Sequence, residues 1–384
     1  MKSMILCGGL LLSFAAYSSL RLSYANWLFA RNTLDSVTRA AAVDPSNWRY
    51  PAWLADLQEN AGRDSSRALA DAARLNPRDS ALWIRRGLRA EFSGDRAEAE
   101  RLLLHAAAVD RLMEPRWTLM NFYFRAGDEA KFWPWAERAF AMSYDDRTPL
   151  LDLCWRVRED PARIAGLFAG NYPVKLQFLK FLLARQQFEP AGALALTLLS
   201  QASLSDRPLF LACVQQLIDS GKAGAARQLW NGLGARLDQV NGPWLTNGEF
   251  ERYPSGTGFD WRLPENAGVT AILARGGELR VALNGKQNEA CDLLTQTVPL
   301  ERGRSYRLKF AYKTSGLGAA SGLRVSIFYQ ATRELSSEEW QDGELRFAAI
   351  GDLGTIALEY RRPPGAMRAE GRIALRRFAL EAVP

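Results

Sequence analysis

Punctuation at a fixed interval constrains this chain more than any other feature. Gly62, Gly94 and Gly127 stand 32 and 33 residues apart. Each closes an apolar-periodic stretch and precedes a charged pair: Arg63-Asp64, Asp95-Arg96 or Asp128-Glu129. Pro45 and Pro77 repeat the 32-residue step. Glycine tolerates the positive φ of a hairpin turn, and proline at a helix start gives up no hydrogen bond. A unit of helix, short turn, helix and longer turn at this period specifies a helical solenoid. The pattern predicts about six hairpins over residues 22–238, the first built partly from 24–42. It is clearest over 45–142, decays after Asp145, and returns as 209–218 and 223–233 around Gly221.

The stretch resembles the tetratricopeptide repeat family. In the best copy Trp83 takes the first large aromatic position, Gly87 the small position at the hairpin crossing, and Gly94 the turn. Ala99, Leu103 and Ala106 follow as the small, large and small positions of the second helix. These are repeat-packing residues, since small side chains let helices approach while large ones fill the spaces beside them. The resemblance implies a curved inner surface that captures a protein partner. Arg85, Arg86, Arg89 and Arg116 are its expected cationic contacts and Tyr123 an aromatic one. His105, the only histidine, is read as a packing or surface residue.

At Asn241-Gly242-Pro243 the pattern changes to short alternating runs. Candidate strands are 268–274, 278–283, 291–298, 305–312, 323–329, 343–349, 355–360 and 372–380, separated by glycine or polar turns. Eight or nine antiparallel strands in this length make a β-sandwich, with a jelly roll as the expected form. Leu245-Thr246-Asn247-Gly248-Glu249-Phe250-Glu251 followed by Gly258-Phe259-Asp260-Trp261 resembles the opening of galactose-binding-like jelly rolls, which include carbohydrate-binding modules. The run 294–300 with Gly303 and Tyr306 resembles their later strand signature. That likeness implies a glycan site, for which Trp340, Tyr329 and Tyr360 are candidate platforms and Asn284, Gln287 and Asn288 candidate hydrogen-bonding groups. Trp261 reads as core. Such modules often hold a structural calcium between the opening glutamate and an acidic residue of the last strand. Here Glu251 is matched by Arg376 and Arg377, which cannot ligate a cation. No cofactor is expected, and calcium is disfavoured.

Lys2 precedes an apolar run from Met4 to Leu20, ended by Arg21. Seventeen residues rise ~26 Å as a helix, just short of a hydrocarbon core. Continuation through Tyr24 and Trp27, residues suited to a membrane interface, favours a retained single-pass anchor over a cleaved signal segment. The expected order is therefore an N-terminal transmembrane or signal helix at 1–21, an all-α tetratricopeptide-like solenoid at 22–238, a linker at 239–244 and an all-β jelly-roll sandwich at 245–384.

The chemistry points away from catalysis. Four cysteines are scattered and form no zinc motif. No phosphate loop, dinucleotide fingerprint, metalloprotease helix or nucleophile elbow occurs. The net charge of +7 comes without a dense basic run interleaved with aromatics, which argues against nucleic acid. The three segments together resemble accessory proteins of bacterial exopolysaccharide production. This implies a non-catalytic envelope scaffold in the inner membrane, its soluble domains periplasmic, capturing assembly proteins through the repeats. The alternative is a polysaccharide- or cell-wall-binding protein working through the sandwich.

Overall fold

The computed structural model describes residues 2–168, 170–234, 244–318 and 320–383, with side chains from residue 9 onward. The chain divides into two compact units, 1–169 and 170–384.

The first unit holds ten helices among the described residues: α1 Lys2–Ala30, α2 Leu34–Val43, α3 Arg49–Asn60, α4 Ser66–Leu75, α5 Ser80–Phe92, α6 Arg96–Val109, α7 Met113–Ala126, α8 Glu129–Met142, α9 Thr148–Val157 and α10 Pro161–Gly166. The charged pairs after the periodic glycines now have a reason. Gly94 and Gly127 turn the chain at φ 88° and 70°. The aspartate that follows then caps the next helix: Asp95 accepts from Glu98 N at 3.0 Å and Asp128 from Lys131 N at 3.0 Å. Glycine stops one helix and aspartate starts its partner. Gly87 lies where α5 crosses α6, and a Cβ there would come within 2.6 Å of Leu103 Cδ2. Ala99, Leu103 and Ala106 are buried on the facing side of α6.

The N-terminal expectation needs correction. Among the described residues no helix is long and apolar enough to cross a membrane. The membrane anchor, the membrane as partner and the single-pass inner-membrane placement with periplasmic domains therefore fall. The physical reason lies in the second half of α1. Arg21 and several serines dilute its apolar character, and residues beyond them belong to the repeat core. Ala25 and Leu28 are buried, and Asn26 accepts a hydrogen bond from Tyr50 Oη at 2.8 Å. Tyr24 and Trp27, expected at a lipid interface, stack on each other at 5.8 Å, with Arg31 over the Trp27 ring. The side chains of Met4 to Cys7 lie outside the described residues, as do residues 239–243 of the linker expected over 239–244.

The second unit opens with α11 Tyr172–Ala184, α12 Phe188–Leu198, α13 Arg207–Asp219 and α14 Ala223–Gly234. Nine strands follow: β1 Val269–Ala274, β2 Glu278–Asn284, β3 Ala290–Pro299, β4 Ser305–Ser315, β5 Leu323–Ile327, β6 Gln330–Ala331, β7 Gln341–Ala348, β8 Leu353–Arg361 and β9 Glu370–Val383. They form a five-stranded antiparallel sheet in the order β1-β2-β9-β4-β7 and a four-stranded sheet in the order β3-β8-β5-β6. Alternation puts Leu279, Val281, Ile373, Leu375, Tyr306, Leu308 and Phe310 into the core with Leu294, Val298, Ile356, Leu358 and Tyr360.

The motif at 245–261 is a structural plug. Asp260 is fully buried; its carboxylate accepts from the amides of Trp261 at 2.8 Å and Ser255 at 3.1 Å. Trp261 Nε1 donates to Asn247 O at 3.2 Å, and its ring packs on Phe250 and Phe378. Gln296 of β3 ties this segment down by donating to Thr246 O and Phe259 O at 2.7 and 2.8 Å. Helix α14 packs against it too: Trp230 donates to Thr246 Oγ1 at 3.1 Å, and its ring meets Phe259.

Candidate functional site

The cations named for the repeat groove are largely engaged inside the first unit. Arg85 bridges back to Asp56 and Glu59 of α3 at 2.6 and 3.1 Å. Arg89 pairs with Asp64 at 3.0 Å. Arg86 lies over the Trp83 ring, and burial lowers its pKa. Arg116 donates to the carbonyls of Leu112 and Asp110. Tyr123 is buried and donates to Glu100 at 2.9 Å; burial first, then this carboxylate, raises its pKa. Related bonds join Arg125 to Glu91 and Lys131 to Glu100, both at 2.7 Å. Each spans from one hairpin to the next, so these side chains fix repeat register. His105 packs edge-on against Trp83.

The sandwich brings other named residues together. At one end of it the loop residues 285–289, 316–318, 320–322 and 362–369 surround a concavity of about 750 Å³. Asn284, Glu289, Arg362, Arg368 and Glu370 supply its polar lining, with Leu317 and Met367 as apolar surface. Glu289 holds Arg362 at 3.1 Å and Arg368 at 3.8 Å, which keeps two guanidinium groups at the rim.

Gln287 and Tyr360 are not rim residues. Both are fully buried and grip the same residue of the 362–369 loop: Gln287 Nε2 donates to Ala369 O at 2.7 Å, and Ala369 N donates to Tyr360 Oη at 2.9 Å. They satisfy both backbone groups of Ala369 and so post the pocket wall in place. Asn288 is exposed in the 285–289 loop. Tyr329 stands 94% exposed at the β5–β6 turn, on the four-stranded sheet. Trp340 is half-buried before β7, with Arg376 Cζ 3.8 Å from its ring centre. Arg377 pairs with Asp342 at 3.1 Å, and among the described residues no ion pair joins Glu251 to Arg376 or Arg377.

Sequence reading missed Glu289, Arg362 and Arg368, because charged loop residues carry no periodic signal. It named Arg376 and Arg377 of β9 only as cations that exclude calcium, and it passed over Arg372. There the placing of Arg372 and Arg376 on either side of the apolar run Ile373-Ala374-Leu375 was a readable sign.

Among the described residues no group of three His, Cys, Asp or Glu side chains is placed to hold a metal. Cys154, Cys213 and Cys291 are free thiols; burial pushes Cys213 up to about 12 and Cys154 upward as well, so neither is a ready nucleophile.

No family model matches the sequence, and no curated protein matches it. Among solved structures, a CBM4 is 14% identical over 36% of this chain and 99% of its own, with a TM-score of 0.29. Pseudomonas aeruginosa pilF is 15% identical over 58% of this chain and 90% of its own, with a TM-score of 0.27. The APC/C hetero-tetramer Cut9-Hcn1 is 14% identical over 58% of this chain and 46% of that chain, with a TM-score of 0.30. These are coarse likenesses of fold, to helical solenoids and to a carbohydrate-module sandwich, and no function passes from them to this chain.

Proposed function

We propose that the protein is a non-catalytic polysaccharide-binding scaffold serving exopolysaccharide production, with the glycan held by the sandwich and the helical repeats acting as its support. The observation that carries this reading is the loop-end concavity. It gathers carboxylate, guanidinium and carboxamide groups from three loops around an open volume suited to one or two sugar units, and two buried side chains hold its wall. Sugars are recognised by such convergent, pre-positioned polar groups beside modest apolar surface. Capture of proteins by the repeats is the less favoured reading, since Arg85, Arg89 and Tyr123 already have partners within the first unit.

Calorimetric titration of the full chain with a panel of neutral and acidic oligosaccharides tests the proposal. One saturable site per chain is expected, weakened at least tenfold by the double substitution Arg362→Ala/Arg368→Ala and unchanged by Arg85→Ala. Absence of binding to every glycan, or loss of binding through Arg85→Ala alone, would overturn it.

A further inference from the structure

The outer face of the five-stranded sheet leads into that concavity. Asn284 and Glu370, which line it, are register partners; the next pair inward on the same face is Ala282 with Arg372, and the next Arg280 with Ala374. Across β9 the same rows continue on β4, with Ser315 opposite Arg372, Lys313 opposite Ala374 and Ala311 opposite Arg376. Cross-strand partners share a face, and diagonal neighbours stand ~7–8 Å apart. Arg280 and Lys313 therefore flank Ala374 on either side, while Arg372 and Arg376 lie before and after it. The four cations thus cluster around Ala374, which is itself buried.

Most other charges on this sheet are compensated. Lys309 pairs with Glu381 at 2.8 Å, Arg346 with Glu344 at 2.7 Å and Arg307 with Glu344 at 3.8 Å. Within the four, Arg280 is paired with Glu278 at 2.6 Å. Lys313 and Arg372 have no ion-pair or hydrogen-bond partner among the described residues. Arg376 rests on the Trp340 ring, and its Nε makes no hydrogen bond. Three uncompensated positive charges on one small sheet surface cost the fold self-repulsion and offset none of it internally.

We infer that this face binds an acidic polysaccharide, one carrying a carboxylate on its sugar units, laid across β2, β9 and β4 with its end in the loop concavity. The inference rests on the glycan-binding reading and specifies the substrate class. Lys313, Arg372 and Arg376 meet carboxylates at a spacing of one strand row or more. Guanidinium groups suit carboxylates because they present a planar fork of donors. Nucleic acid fits less well. Duplex DNA presents a negative charge every ~1.7 Å, and Glu278, Glu344, Glu381 and Asp342 elsewhere on this sheet would repel so dense a rail. Trp340, the aromatic beside the patch among the described residues, already has Arg376 over its ring, so no stacking platform for bases is built there.

Polygalacturonate and its fully methyl-esterified form share a backbone and differ in charge, so the pair isolates the claim. The full chain is expected to bind the acidic polymer at least tenfold more tightly than the esterified one, with affinity falling as salt is raised. Lys313→Gln/Arg372→Gln should remove most of that preference while leaving affinity for the esterified polymer unchanged. These two side chains make no internal bond, so the melting curve should not move; Arg280→Gln provides an independent second variant with a smaller loss. Equal affinity for the two polymers would sink the inference and leave the glycan-binding function standing. Binding of neither would sink both. Tighter binding to duplex DNA or to anionic lipid vesicles than to polygalacturonate would assign the face to another polyanion and overturn the inference.

Discussion

Replacing Trp230 with alanine should disrupt the second unit well beyond α14. Its ring is only 2% exposed, packs edge-on against Phe259 and donates to Thr246, which is itself buried. Truncating a buried tryptophan to alanine costs about 3–5 kcal/mol through lost burial and the cavity left behind. Trp230→Phe keeps much of the ring but strands the Thr246 hydroxyl, for about 1–3 kcal/mol. Gly258 allows a check from the opposite side. It sits at φ +57°, and a Cβ there would lie 2.3 Å from Trp230 Cζ3, part of a rigid ring that cannot fold away. Gly258→Ala therefore adds left-handed backbone strain of about 1–2 kcal/mol to an overpacking cost of about 1–3 kcal/mol. Urea unfolding of the full chain, with hydrogen exchange read in β3 and β8, measures the effect where it matters. Trp230→Ala and Gly258→Ala should each lower protection in those strands along with α13 and α14. If the sandwich strands keep wild-type protection while the helices alone loosen, α14 is not part of the sandwich unit and the reasoning fails.

Two further outcomes follow from single sites. Gly87→Leu should destabilise the first unit by about 1–3 kcal/mol, because Leu103 fills the space a side chain would need; an unchanged unfolding midpoint would show that α5 and α6 yield there. Asp292 has its pKa raised by burial and then by the charge of Glu359, with Arg361 opposing. Its folded pKa therefore exceeds its unfolded one, so stability falls as pH rises from the unfolded value through the folded one. Asp292→Asn should remove that pH dependence; a variant and wild type with parallel stability profiles across the acidic range would contradict the shift.

Much of the fold was legible because its signals are local. Gly94 and Gly127 and the aspartate beside each report backbone geometry at one point, and alternation such as Tyr306, Leu308 and Phe310 reports one strand. The site was less legible because it depends on what neighbours have already taken. Arg85 and Arg372 look alike in sequence, yet one is consumed by Asp56 and Glu59 while the other faces out beside Ala374. Tyr360 reads as an aromatic platform until its hydroxyl is seen accepting from Ala369 inside the sandwich. The N-terminal reading misled in its continuation past Arg21: Leu10, Leu11, Leu12, Phe14 and Leu20 of the apolar run are exposed, but Ala25 and Leu28, which a span would need, are buried against protein.

The central claim, that ligand is held by the sandwich and not by the repeats, is tested most directly by hydrogen exchange of the full chain with and without saturating polygalacturonate. Protection should rise in β2, β4 and β9 and at loop residues 285–289, 316–318, 320–322 and 362–369, with α3 to α8 unchanged. Protection confined to α3–α8, with the sandwich peptides unmoved, would contradict the account.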